Sequence, residues 1–290
     1  MANWVPFVSL SLISIILLVI IVVKNRHMSA RILLFWLFIS GLAYVFEYII
    51  FVLFNSYTYH PHILSNNYND SVLGSISSQA FSVPIAITYI VVYHLRATRI
   101  ALIVGLFFLI ETWFTYSSLY EHHWWQSYYT SFFLIIAVIL SKAWWKLFEN
   151  DPNHYVLFIT LFFALSTVSL SCAWILSSLL ELYIIPLHHF SNPTRDLIAG
   201  NAVYIWFTTY LYTLVIFFRY KDKQYALLTI LFLLTIEVFM IQEGVLLLKK
   251  PIMMMVLPLF HFSVIIIGGY CYNHHFPNYV EITRKGLHSG

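Results

Sequence analysis

The sequence predicts an all-α fold: a polytopic transmembrane helix bundle of about nine helices, one N-terminal helix followed by two parallel four-helix repeats. Three observations lead there. Of 290 residues, 61% are hydrophobic and only 9% charged, with a mean hydropathy of +0.81, outside the range of soluble globular domains. Apolar stretches of roughly 20 residues, the length a helix needs to cross the hydrocarbon core, recur along almost the whole chain. The connections between them are short, which leaves no room for a soluble domain.

The expected spans are 4–23, 32–54, 76–95, 100–120, 128–148, 155–182, 197–218, 225–247 and 252–272. The first lacks the basic flank of a signal peptide; Lys24, Arg26 and Arg31 follow it instead, so it reads as a membrane anchor with the N-terminus outside. Residues 55–75, rich in Tyr, Asn and His, read as a structured surface loop. Basic residues concentrate in cytoplasmic loops. With the N-terminus outside, the inner side holds Lys24, Arg26, Arg31, Arg96, Arg99, Lys142, Lys146, Arg219, Lys221, Lys223, Arg284 and Lys285, twelve of the 15 Lys and Arg residues. Arg195, Lys249 and Lys250 fall outside, and the C-terminus falls inside. The formal charge of +3 is thus a topology signal and not a nucleic-acid footprint.

Residues 30–150 and 151–275 share one layout, preceded by an anchor at 1–29 and followed by a cytoplasmic tail at 276–290. Each begins with an outward helix and an outer loop containing Pro and His, YTYHPHI at 57–63 and YIIPLHHF at 183–190. An inward helix, a basic turn, an outward helix with a buried Glu, a tight turn and a final inward helix follow. ALIVGLFFL at 101–109 matches ALLTILFLL at 226–234, placing Glu111 and Glu237 one residue out of register. Units with an even number of helices share one orientation, so the repeats would be parallel.

An acid at a membrane-helix centre costs about 2.5–3.5 kcal/mol on insertion scales, so Glu111 and Glu237, expected near mid-membrane, should face protein, water or a ligand. Burial penalises the charged form, which makes a protonated, hydrogen-bonded carboxyl the least costly state. Helical spacing puts Thr115 and Ser118 on the face of Glu111, and Ser40 and Tyr44 on that of Glu47. Gln242 and Glu243 lie near the outer end of the second repeat, and His261, one turn after Pro258, is the most isolated buried imidazole. Together these form the candidate ligand or proton site between the repeats. The plainer reading is helix-helix hydrogen bonding that sets packing.

His122, His123, His188 and His189 are the metal candidates, but no spacing matches a known ligand pattern and the outer side is not enriched in His, so metal binding is not expected. Trp124, Trp125, Trp144 and Trp145 sit at helix ends as an interfacial belt requires. Small residues recur every four positions at Ser78, Ser82 and Ala86 and at Ser169, Ala173 and Ser177, as close-packing seams do. Cys172 and Cys271 read as buried thiols. With no GxSxG, Walker loop or CxxC, no catalytic residue and no cofactor is expected.

Ile110-Glu111, Tyr116, Tyr120, His123-Trp124 and Leu140-Ser141-Lys142 with Trp144, Trp145 and Phe148 resemble a family of small multi-pass membrane proteins of spore-forming Firmicutes. Its members carry Leu-Glu, tyrosines, a His-Trp turn and a closing Leu-Ser-basic helix ending in aromatics. This chain has Ile before Glu111 and a Glu-to-Tyr spacing changed by about two residues; the second copy keeps Ile236-Glu237 without the His-Trp turn. The resemblance covers some forty residues. It implies a bacterial cytoplasmic or spore membrane and carries over no activity.

The function expected is a non-catalytic membrane binding or assembly component, with the bilayer, a membrane-protein partner or a second copy as partners. The alternatives are a proton- or cation-coupled small-solute transporter using Glu111 and Glu237, and an intramembrane lipid-acting enzyme.

Overall fold

The computed structural model describes residues 2–150, 152–219 and 223–276; all but the first residue of the expected cytoplasmic tail lies outside them. Among the described residues nine helices are long and apolar enough to cross a membrane, so the chain is a multi-pass membrane protein that contacts the lipid bilayer. They run Trp4–Lys24, Arg26–Leu53, Asn67–Val92, Ala97–Tyr116, Ser127–Glu149, His154–Leu179, Pro193–Phe218, Lys223–Gln242 and Met253–His275. The largest departure from expectation is the third, which begins at Asn67 and takes in half of the supposed loop. The cause is local capping. Asn66 Oδ1 accepts from the N–H groups of Tyr68 and Asn69 at 3.1 and 3.0 Å, so a polar stretch starts a helix.

The chain forms two compact units, Met1–Val156 and Leu157–Gly290. In the first unit α1 (Trp4–Lys24) is followed by α2 (Ser29–Glu47), which runs on through a π-helical segment, Tyr48–Leu53, and by strand β1 (Tyr57–Tyr59). Next come α3 (Asn67–Ile76), a second π segment at Ser77–Ser82, α4 (Val83–Val92), α5 (Ala97–Tyr116), β2 (Tyr120–His122) and α6 (Ser127–Glu149). The N-terminal α1 packs into this unit: Phe7 lies edge-on to Tyr59 and Phe114, and Ser14 reaches Ser82 at 3.3 Å. Pro84 has no N–H for the carbonyl of Ala80 one turn back. That carbonyl instead accepts from Trp36 Nε1 at 2.9 Å and lies 3.1 Å from Ser40 Oγ, which ties α2 to the second π segment.

The second unit holds α7 (His154–Trp174) from Leu157 onward, with a terminal π turn at Ile175–Leu179, β3 (Tyr183–Ile184), α8 (Pro193–Arg219), α9 (Lys223–Gln242), β4 (Leu247–Leu248) and α10 (Met253–His275). Its core gathers Ala173, Leu182, Tyr183, Tyr204, Ile205, Leu246, Met253 and Leu257 beneath the strands.

The short strands were not foreseen. β1 pairs antiparallel with β2, Tyr57 opposite His122, and β3 with β4, Tyr183 opposite Leu248. Each pair ties the loop after one helix to the loop after another, and so caps one end of its unit. Asp70 accepts the N–H groups of His62, Ile63 and Leu64 at 2.7–2.8 Å, and Asp196 those of His188, His189 and Phe190 at 2.8–2.9 Å. Left-handed backbone occurs at Asn55, His62 and Ser118, and again at Glu181, His188 and Gly244, each 126 residues later. The starts of α3, α5 and α6 recur at α8, α9 and α10 with the same spacing. In that register Glu111 falls on Glu237, whereas the match of 101–109 to 226–234 is offset from it by one residue.

Two of the four belt tryptophans belong to the core. Trp125 and Trp145 are 3% and 2% exposed, Trp125 against Phe133 and Tyr57 and Trp145 against Phe35. Their neighbours Trp124 and Trp144 are less buried, because successive side chains leave a backbone in different directions. The outward stripe Leu102, Leu106, Leu109, Trp113 of α5 has helical spacing and is exposed, as a lipid-facing surface is.

Candidate functional site

Each unit has polar side chains buried under its strand pair. In the first, Tyr57 donates from Oη to Glu47 Oε2 at 2.7 Å, with Ser75 and Gln79 beside the same carboxyl. Tyr59 and Tyr120 stack at 4.6 Å between ring centroids, and Tyr120 meets His122 edge-on at 4.7 Å. His122 Nε2 lies 3.0 Å from Glu111 Oε1, with Thr130 and Ser127 close to that carboxyl. Both acids therefore frame one tyrosine cluster.

α5 ends at Tyr116 and α9 at Gln242, so Glu111 and Glu237 each lie five residues, about 7.5 Å, from the helix end that leads to the strands.

Burial pushes the phenols of Tyr57, Tyr59 and Tyr120 well above their ordinary range. The negative charge of Glu47 adds to this at Tyr57 and Tyr59, and Tyr59 and Glu111 do so at Tyr120. The phenols stay protonated in the fold, whereas in an unfolded chain they ionise near about pH 10. Their contribution to stability is full below that pH and is lost as pH rises above it. Alkaline titration should show a phenolate absorbance step coinciding with loss of helical signal; phenolates appearing fully in the folded protein would contradict this burial.

In the second unit Tyr204 donates from Oη to Glu237 Oε1, and His261 Nε2 lies 2.8 Å from the same oxygen. On the far side of the imidazole, Nδ1 meets Tyr212 Oη. Glu237 is 2% and His261 0% exposed. Above them Tyr183 donates to Asn201 Oδ1 at 2.7 Å, and Asn201 Nδ2 to Ser177 Oγ at 3.1 Å. Asn201, Tyr204, Thr208 and Tyr212 form one stripe of α8, spaced three, four and four residues apart. Burial, and then the charge of Glu237, raise the Tyr183 phenol, although its bond to Asn201 opposes this.

Of the site residues read from sequence, the structure brings Glu237 and His261 together, and places Glu47 and Glu111 around the first tyrosine cluster. Thr115 and Ser118 do not reach the Glu111 carboxyl. Both are exposed, and Thr115 Oγ1 donates to the Glu111 backbone carbonyl at 3.0 Å, the usual alternative for a hydroxyl one turn on. Gln242 and Glu243 are exposed at the end of α9, turned away from Glu237 by their place on the helix. His123 lies 2.7 Å from the Asn55 carbonyl and 3.2 Å from Thr58 Oγ1, while His188 and His189 offer backbone N–H groups to Asp196. Among the described residues no three His, Cys, Asp or Glu side chains are grouped to hold a metal ion. Tyr57, Tyr204 and Tyr212 were missed. The i, i+4, i+8 series of Tyr204, Thr208 and Tyr212 was the signal that pointed to two of them.

No protein-family model, curated protein or solved structure matches the chain.

Proposed function

We propose that the chain is a non-catalytic binding or assembly component of a bacterial cytoplasmic or spore membrane, acting through a membrane-protein partner or a second copy of itself. One observation carries this reading: Glu47, Glu111 and Glu237 are each engaged by Tyr or His side chains of their own unit. A transporter built on Glu111 and Glu237 needs water at both. An open groove of about 330 Å³ lined by Leu211, Phe218, Leu228, Phe232 and neighbours is apolar and holds neither.

The same reading takes the two units as copies of one four-helix repeat, supported by the recurrence of capping bonds, left-handed residues and helix starts every 126 residues. It puts the strand caps outside and the N-terminus with them. Support comes from Lys24, Arg31, Arg96, Lys142 and Lys146, which flank the opposite helix ends of the first unit, with Lys142 Nζ 2.8 Å from the Leu95 carbonyl. A Glu121→Cys variant should react with a membrane-impermeant thiol reagent in intact cells and a Lys146→Cys variant only after lysis; the reverse pattern would invert the topology.

The function is tested with the purified chain in proteoliposomes under an imposed pH gradient. No carbodiimide-sensitive proton flux is expected, and mild solubilisation of native membranes should give a complex larger than the single chain. Flux that Glu111→Gln or Glu237→Gln abolishes would replace this reading with transport.

A further inference from the structure

Resting on the assembly reading above, we infer that the groove between α8 and α9 of the second unit is a docking seat for one transmembrane helix of another membrane protein, lying parallel to α8.

The first unit shows what such a seat holds. There α1 packs on the second π segment and on α4. A Cβ on Gly74 would lie 3.3 Å from Phe7 Cε1, Ser14 reaches Ser82, and Asn25 Nδ2 donates to Tyr93 Oη at 3.3 Å. The partners stay 67 or 68 residues apart all along the contact, so the two helices run in the same direction. The buried residues of α1, Phe7, Ser14, Leu18 and Ile21, are spaced seven, four and three, the stripe of a helix that packs along one seam. At that offset Leu18 and Ile21 come level with Ile85 and Thr88 of α4, both 0% exposed.

In the 126-residue register Ile85 and Thr88 fall on Leu211 and Leu214. These two are only half-buried. With Val215 and Phe218 of α8 and Leu228 and Phe232 of α9 they line the open groove of about 330 Å³. In the same register α1 falls on α6, which belongs to the first unit and packs against α4 and α5, so the second unit has no first helix of its own. The groove extends along seven residues of α8, about 10.5 Å, which is room for two turns of an apolar stripe like that of α1. Close side-chain packing is what holds helices together in lipid, and both walls offer it. A second copy fits less well. Its α1 is already seated, two concave grooves do not fill each other, and any other surface would make a head-to-tail contact that grows into rings or open chains.

The test uses the full chain in its native membrane, carrying a photo-crosslinking phenylalanine analogue at Leu211, at Phe218 or, as a control, at Leu102, the exposed register match of Leu228 on α5. Particle size after mild solubilisation is measured before irradiation, and attachment points are then located by peptide mass spectrometry. Leu211 and Phe218 are expected to attach to one apolar segment of another protein, the Phe218 point about seven residues C-terminal to the Leu211 point, and Leu102 to lipid alone. Thr229→Trp fills the groove from its α9 wall and should abolish attachment at Phe218 while the solubilised chain stays monodisperse. Lipid at all three positions overturns the proposal, as do points in the reverse order, points scattered over many proteins, or points on another copy of this chain. If the larger complex persists with lipid in the groove, the docking seat alone falls; a particle of single-chain size removes the assembly reading as well.

Discussion

Gly200→Ala is expected to be the most damaging single methyl addition in this protein. A Cβ on Gly200 would lie 2.0 Å from the Ile185 carbonyl oxygen and 3.1 Å from its carbon. The obstacle is backbone, in the segment that leads from β3 into the Asp196-held loop, and it cannot turn aside as a side chain would. Overpacking typically costs about 1–3 kcal/mol, and a clash with a fixed carbonyl belongs at or beyond the upper end. Gly74 occupies the matching place in the first unit, with the Tyr59 Cβ at 2.6 Å, and Gly74→Ala should be nearly as harmful. Gly105 on α5 has nothing within 4 Å of an added Cβ, so Gly105→Ala should be neutral or gain up to about 1 kcal/mol from helix propensity. Thermal unfolding followed by the monodisperse fraction of detergent-solubilised protein ranks the three. Wild-type behaviour of Gly200→Ala would mean that the loop does not lie against α8 as described.

Asp196→Asn and Asp70→Asn should come next. Each aspartate accepts three backbone N–H groups from a loop whose first residue, His188 or His62, is left-handed. Hydrogen bonds to a charged group contribute about 1.5–3 kcal/mol each and do not add fully, so a loss of about 3 kcal/mol or more is expected. Asparagine is the sharper probe than alanine: it keeps the shape but replaces one accepting oxygen with an N–H that faces other N–H groups. Hydrogen exchange at residues 62–64 and 188–190 should rise locally before global stability falls. Unchanged protection in both variants would show that the strands, and not the aspartates, hold these loops.

These two effects lie at positions that the sequence leaves unmarked. Gly200 is one of nine glycines, and Asp196 follows Pro-Thr-Arg in what reads as a polar helix start. Their weight comes from what the chain brings against them: a carbonyl fifteen residues back, and three N–H groups of a preceding loop. Glu237 and His261 were legible as candidates because an ionisable group amid apolar residues is conspicuous, but the bond between them was not, since 24 residues and a change of helix separate them. Thr115 and Ser118 were misplaced for a related reason. Helical spacing shows which residues share a face, and it does not show whether that face meets protein or lipid; α5 turns most of this one outward.

By itself the sequence determined the membrane architecture. Hydrocarbon thickness sets the helix length, and the cost of burying unpaired backbone polar groups leaves helices as the form these spans can take. Nine spans could therefore be placed from apolar run length. Tertiary structure alone decided the two-stranded caps, the start of α3 inside an apparent loop, the inward turn of Trp125 and Trp145, and the pairing of Glu47 with Tyr57, Glu111 with His122, and Glu237 with Tyr204 and His261. Hydrophobicity is a sum over many residues and survives without knowledge of neighbours. A hydrogen bond needs two atoms within about 3 Å of each other, and only the folded chain specifies which two.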